Sequence, residues 1–318
     1  MSVESGFDEL QTTVNVPTPD LAEARRRRDL FADPLKSEPD IVDVIPSGSL
    51  ARGTHKDPIH DVDLIVVFDS FAHLGWGDDG PSALAALEHL RSLVKNHLGK
   101  DGTGDVRLTK IQNHSVKCFL DDPEDPNAFT VDVTPALVRA EGGFMIPEQR
   151  NDKWVPSDPE YLIKLVADRH AQWNEFAKLV RVLKRWNTDH AKHMKSLVVE
   201  VLALHHLPEL SHSQALARFF AAAQVAIWSP VTDPAGQCGT IQPDLDQAAA
   251  ADALGKAADL ANRAVEAEAR NDTRQAQCLW NKVFGPIYPE PYLGCGPTGT
   301  GAAVVATAKR PVVDSPQG

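Results

Sequence analysis

Apolar residues along this chain follow two periods. In the first half they form short runs punctuated by Gly and Pro. Ile41 to Ile45 reads as a strand that breaks at Pro46-Ser47-Gly48-Ser49; a loop rich in Arg, Lys and His follows, and a second strand enters at Asp61-Val62-Asp63 and runs to Phe68. Further strands are predicted over 105–111, 115–120 and 129–136. Two helices belong to the same half. One starts at Thr18-Pro19, with Thr18 as N-cap and the proline in the first turn. The other runs from Pro81-Ser82 to Gly99, with Leu84, Leu87, Leu90, Val94 and Leu98 on one stripe. Residues 1–17 offer few apolar anchors, and the stretch from Gly142-Gly143 to Pro147 reads as loop.

Beyond residue 150 the period becomes helical. Ser157 and Glu160 have capping-box spacing and open one long helix in which apolar residues from Leu162 to Trp186 recur at helical spacing. Helices over 195–207, 213–228, 244–270 and 272–284 follow, separated by prolines and Asn271-Asp272. The alanine-rich stretch 248–267 is accounted for by helix propensity on a half-exposed helix. Tyr288 and Tyr292 are expected to dock back, and the final residues have the composition of a flexible tail. The pattern predicts an α+β lobe with a mixed sheet over 1–150, an all-α lobe over 151–294, and a tail over 295–318.

Composition narrows the function classes. The 318 residues are 42% hydrophobic and 24% charged, as in a soluble globular protein, and no apolar run is long enough to span a membrane. The polar start MSVESGFDEL does not read as a signal peptide. Cys118, Cys238, Cys278 and Cys295 are widely separated with no CxxC pair, so neither a zinc site nor a disulfide framework is expected, and a reducing cytoplasm is. The histidines, including His190, His193, His205 and His206, read as non-ligands. Arg25 to Arg28 read as a solvated helix face. The net charge of −12 counts against wrapping a long nucleic acid and favours small nucleotides.

The candidate chemistry sits at the second strand. Asp61 and Asp63, two apart, face the same side and present two carboxylates together. Their repulsion is relieved by a divalent cation, and hard oxygen donors suit Mg²⁺. Gly48 and Ser49 offer backbone N–H groups and a hydroxyl where a phosphate can approach closely. Together these are the parts needed for phosphoryl or nucleotidyl transfer.

The GS turn followed by DVD resembles the signature of the polymerase-β-like nucleotidyltransferases. The fuller GSLARGT…DVDLIVVF resembles the bacterial cyclic-oligonucleotide synthases of anti-phage (CBASS) defence, relatives of cyclic GMP–AMP synthase and the oligoadenylate synthases. The resemblance implies a third metal carboxylate, Asp132 in FTVDVTPA, and triphosphate contacts from Lys184 in LVRVLKRWN and Ser196 in KSLVVEVL. It implies Mg²⁺, with Mn²⁺ as substitute, a cleft between two lobes, and NTP substrates, ATP foremost, closed into a ring of two or three nucleotides. Arg52 is a weaker phosphate candidate, and Leu197 replaces a base-stacking aromatic of some animal relatives, which leaves base recognition undefined. A regulatory partner is implied by analogy, and the terminal Gly318 is compatible with conjugation of the tail; DNA activation is not expected. Three alternatives stay open: addition of nucleotides to an RNA end or a protein, a linear 2′-5′ oligoadenylate synthase, and an inactive binding scaffold.

Overall fold

A computed structural model describes residues 2–77 and 82–295 and divides them into two compact units. The predicted tail beyond residue 295, Gly318 included, and the predicted helix start at Pro81 fall outside the described residues. One unit holds 16–168 with 233–239; the other holds 2–15, 169–232 and 240–295. The division stands at 168–169, whereas the change of period predicts it at 150–157, and the first helix belongs with the helical residues. That helix, α1 (Val3–Val14), lies where the sequence shows few apolar residues; Phe7, Leu10 and Val14 are spaced onto one buried stripe, and Ser2 and Ser5 form a capping box.

In the sheet unit, α2 (Thr18–Lys36) has Pro17 at its N-cap, one residue before the predicted Thr18, with no side-chain cap bond. Arg27 leaves the solvated face: it is buried, bonded to Glu23 and Asp121, and lies over the Phe129 ring. Strand β1 (Ile41–Ser47) leads through the single turn α3 (Gly48–Ala51) to β2 (Asp61–Phe68). Then come α4 (Ser82–Leu98), β3 (Leu108–Ile111), β4 (Val116–Phe119) and β5 (Thr130–Val138). The sheet order is β1-β2-β5-β4-β3, with β2 and β5 parallel and the other pairs antiparallel, the predicted mixed sheet.

Alternation decides which face carries the chemistry. Val62, Leu64, Val66 and Phe68 of β2, with Val131 and Val133 of β5, point into the core shared with α2 and α4. Asp61, Asp63 and Asp132 therefore fall on the opposite face, which continues along the strands into the small cluster of Ile65, Val67, Ala136 and Phe144.

The predicted loop at 142–147 is instead the start of a hairpin, β6 (Phe144–Glu148) and β7 (Lys153–Ser157), with β6 paired to β5. Pro147 and Pro156 hide it from the strand pattern; Pro147 lies beyond the two residues that pair with β5. Ser157 ends β7, so the Ser157/Glu160 capping box does not form. Asp158 takes the role, its Oδ1 accepting from the Tyr161 N–H at 2.9 Å.

The long helix predicted after 157 is two helices, α5 (Pro159–Gln172) and α6 (Phe176–Trp186), interrupted at 173–175. A π-helical turn over 187–191, α7 (Ser196–His206), α8 (His212–Ala226), α9 (Gln247–Ala269) and α10 (Thr273–Phe284) follow. In the helical unit α9 packs against α8 and α10, and Ala250, Ala257, Ala261, Ala264 and Ala267 are buried. Small side chains there allow close helix approach, a packing role beyond the helix propensity assigned to them. Tyr288 is fully buried, its hydroxyl donating to the Val3 carbonyl at 3.1 Å, whereas Tyr292 is fully exposed and does not dock. Cys278 and Cys295 are joined in a disulfide, contrary to the expectation from their spacing. Among the described residues no helix is long and apolar enough to cross a membrane.

Candidate active site

The site begins where β1 ends. Ser47 pairs with Asp63 across the β1–β2 ladder, and the next residue, Gly48, turns the chain with φ +67°. A Cβ on Gly48 would stand 1.7 Å from Asp63 Oδ2, so both the conformation and the space demand glycine. The turn is closed by the Arg52 N–H to the Gly48 carbonyl at 3.3 Å and the buried Thr54, whose N–H donates to the Ser49 carbonyl at 3.0 Å.

The parallel register of β2 and β5 sets Asp63 directly beside Asp132. Asp61, Asp63 and Asp132 each offer a carboxylate oxygen, and the three atoms lie within 4.8 Å of one another. Asp132 is 7% exposed, and its Oδ1 is buried with no hydrogen-bond partner. Burial, then the charges of Asp61 and Asp132, push the Asp63 carboxyl well above its usual range; Arg52 and Lys117 pull the other way. Burial likewise lifts Asp132 to about 7, with Lys117 opposing and Asp61 adding to the rise.

Three crowded carboxylates and an orphaned buried oxygen are a poor arrangement for protons alone and a good one for a divalent cation. Hard oxygen donors of this kind fit Mg²⁺ or Mn²⁺. The structure thus brings together Asp61, Asp63, Asp132, Gly48 and Ser49, with Arg52 close enough to act on Asp63.

Lys184 and Ser196 lie in the helical unit. Lys184, on α6, is 2% exposed, and its ammonium is 2.5 Å from Glu200 of α7, which is wholly buried. Ser196 is the first residue of α7, four before Glu200 and so on the same helix face. Lys117 was missed by sequence reasoning: it sits opposite Asp132 in the β4–β5 register, on the carboxylate face. Only the register, which the sequence does not reveal, marks it.

A sequence-family profile described as the Second Messenger Oligonucleotide or Dinucleotide Synthetase domain matches residues 1–169. A curated relative from Bacillus cereus (strain VD146), named a probable cyclic nucleotide synthase, is 22% identical over 330 residues, covering 91% of this chain and 98% of its own. Among solved structures, E. coli MS115-1 CdnC with ATP superposes with a TM-score of 0.70 at 19% identity, covering 91% of this chain and 99% of that one. The CdnC:HORMA-deltaN complex gives 0.67 at 19% identity, covering 91% and 98%. These structural likenesses establish a shared fold.

Proposed function

The chain belongs to the Second Messenger Oligonucleotide or Dinucleotide Synthetase family, and from that premise we propose that it joins NTPs, ATP among them, into a cyclic di- or trinucleotide for anti-phage defence. It is a nucleotidyltransferase of the cyclic nucleotide synthase type. The observation that carries the finer reading is the convergence of Asp61, Asp63 and Asp132 beside a glycine that nothing larger can replace.

In this reading Asp61, Asp63 and Asp132 would together hold the Mg²⁺. Bound Mg²⁺ would lower the pKa of the attacking ribose hydroxyl and stabilise the departing pyrophosphate. The chain's own groups bind and orient the donor. Gly48 lets the phosphates approach the backbone, the Ser49 hydroxyl donates to them, and Arg52 adds positive charge. Lys184 and Ser196 are assigned to the donor triphosphate, with Glu200 fixing the lysine. The hydroxyl oxygen bonds to the donor α-phosphorus, the α–β bridging bond breaks, pyrophosphate leaves and the hydroxyl proton passes to solvent. Repetition on the linear product closes the ring. The CdnC:HORMA-deltaN complex supports a regulatory protein partner for this chain as well.

The test incubates the purified protein with Mg²⁺ or Mn²⁺ and four radiolabelled NTPs, followed by phosphatase. A phosphatase-resistant product that is absent with an Asp61→Asn/Asp63→Asn variant supports the reading, and omission of single NTPs names the bases. A linear, phosphatase-sensitive product, or protein that neither binds Mg²⁺–ATP nor releases pyrophosphate, overturns it.

A further inference from the structure

Away from the carboxylate face, a second group of metal-ligating side chains converges. Asp40 lies in the turn before β1, His73 in the loop after β2, and His89 on α4. Both imidazoles present Nε2 to the same oxygen, Asp40 Oδ2, at 2.7 Å from His73 and 2.8 Å from His89. The three ligand atoms lie within 4.8 Å of one another. The group stands at the Phe68 end of β2, about 20 Å of strand from Asp61.

The rings are held in place. His73 stacks on Trp76 with centroids 3.8 Å apart, and the Phe68 ring meets both histidines edge to face at 5.4 and 5.6 Å. The side chains of Asp40 and His73 are 16% and 14% exposed, while that of His89 is 35% exposed and leaves one side of the group open to solvent. Three protein ligands and an open position make a common zinc arrangement.

We propose that Asp40, His73 and His89 form a Zn²⁺ site, with water as the fourth ligand. Ligands about 2.0–2.1 Å from zinc in a tetrahedron stand about 3.3 Å apart. Each imidazole therefore has to retreat by about half an ångström, a shift the glycines flanking Trp76 (Gly75 at φ +89° and Gly77 at φ +89°) make easy for the His73 segment. Ligand type separates this site from the carboxylate triad: imidazole nitrogens select zinc and its neighbours, whereas an all-oxygen set suits Mg²⁺.

Chelator-stripped wild-type protein is titrated with Zn²⁺ in excess Mg²⁺ and, separately, with Co²⁺ as an optical probe. The expected result is one tightly held Zn²⁺ per chain in wild type and equally in Asp61→Asn/Asp63→Asn, with the strong visible bands of four-coordinate Co²⁺ in both. His73→Gln and His89→Gln, each shown folded by circular dichroism, weaken Zn²⁺ binding roughly 100-fold or more and lose the bands. Zn²⁺ binding that survives both histidine changes, that disappears in the Asp61/Asp63 variant, or that is absent from wild type overturns the proposal. The readout is metal occupancy, so it stands or falls separately from nucleotide chemistry.

Discussion

Gly48 and Asp63 occupy adjoining space so closely that a single methyl group on the first would overlap the second, at 1.7 Å from Oδ2. The turn that approaches the donor phosphates in the proposed reaction and a carboxylate proposed to hold the Mg²⁺ are thus one steric unit. Gly48→Ala is expected to cost about 1–3 kcal/mol from the backbone conformation alone. Displacing Asp63 by even an ångström is expected to cut pyrophosphate release by about 100-fold. Denaturant unfolding and initial-rate measurements on the same preparation check both numbers.

Removing charge from the triad should act oppositely on stability and on activity. Asp63 is raised well above its usual range by burial and by its two acidic neighbours, so ionising it costs folding free energy. In chelator, Asp61→Asn/Asp63→Asn is expected to unfold at a higher temperature than wild type, by about 1–2 kcal/mol in stability, and to make no product. Mg²⁺ should raise the wild-type midpoint and leave the variant's unchanged. Differential scanning calorimetry with and without Mg²⁺ gives the comparison.

Asp132 supplies a pH signature of the metal-free protein. Its folded value is about 7 against 3.8 for an ordinary aspartate, so the folded state keeps a proton that the unfolded chain has released. The contribution is full below pH 3.8 and is lost as pH rises through about 7, amounting to a few kcal/mol at most. Asp132→Asn should flatten that slope in a series of urea titrations in chelator.

Asp61, Asp63 and the glycine turn are legible because strand alternation and a chain break are local, whereas Asp132 is marked only by the family resemblance. Asp61 and Asp63 share a face by spacing alone, and Gly48 stands at the break between two apolar runs. What escaped the sequence depends on pairing across distance. Lys117 joins the carboxylate face only through the β4–β5 register, and Arg27 leaves its solvated run only because Asp121 and Phe129 meet it. The β6–β7 hairpin was masked by its prolines, and α1 by the small number of residues that make its buried stripe. Cys278 and Cys295 carry no motif that announces their bond.

The Lys184–Glu200 pair sets up a separable test of the lysine. Both side chains are almost wholly buried, and a pair of this kind is costly to break from one side. Glu200→Gln is expected to destabilise the protein by about 3–5 kcal/mol if the lysine keeps its charge. Lys184→Met combined with Glu200→Gln should recover much of that stability without recovering nucleotide affinity, because the triphosphate contact assigned to Lys184 is gone. Unfolding free energies and KM for the NTP, measured on the two variants and wild type, separate the structural share from the binding share.

The helical unit has its own titratable clasp, at His212. Its Nδ1 lies 2.5 Å from Glu4 Oε2 on α1, and its Nε2 lies 2.9 Å from Glu175 Oε2. Burial alone would lower the His212 pKa, but hydrogen bonds to the two carboxylates outweigh it and raise the value above the ordinary 6.5. Glu175 is drawn down to about 2: burial opposes the shift, while Lys178, His212 and Gln11 impose it. The two signs differ. The His212 contribution is complete below pH 6.5 and disappears as pH rises through its raised folded value; that of Glu175 is complete above pH 4.5 and disappears as pH falls toward 2. Attachment of α1 should therefore be firmest between about pH 4.5 and 6.5 and loosen as pH rises through the raised His212 value. His212→Gln is expected to destabilise by about 1–3 kcal/mol at pH 6 and by progressively less as pH rises. Hydrogen exchange of α1 amides across that range should show the wild type converging on the variant at the alkaline end. A constant difference between the two at every pH would mean that His212 acts there as a neutral hydrogen-bonding group only.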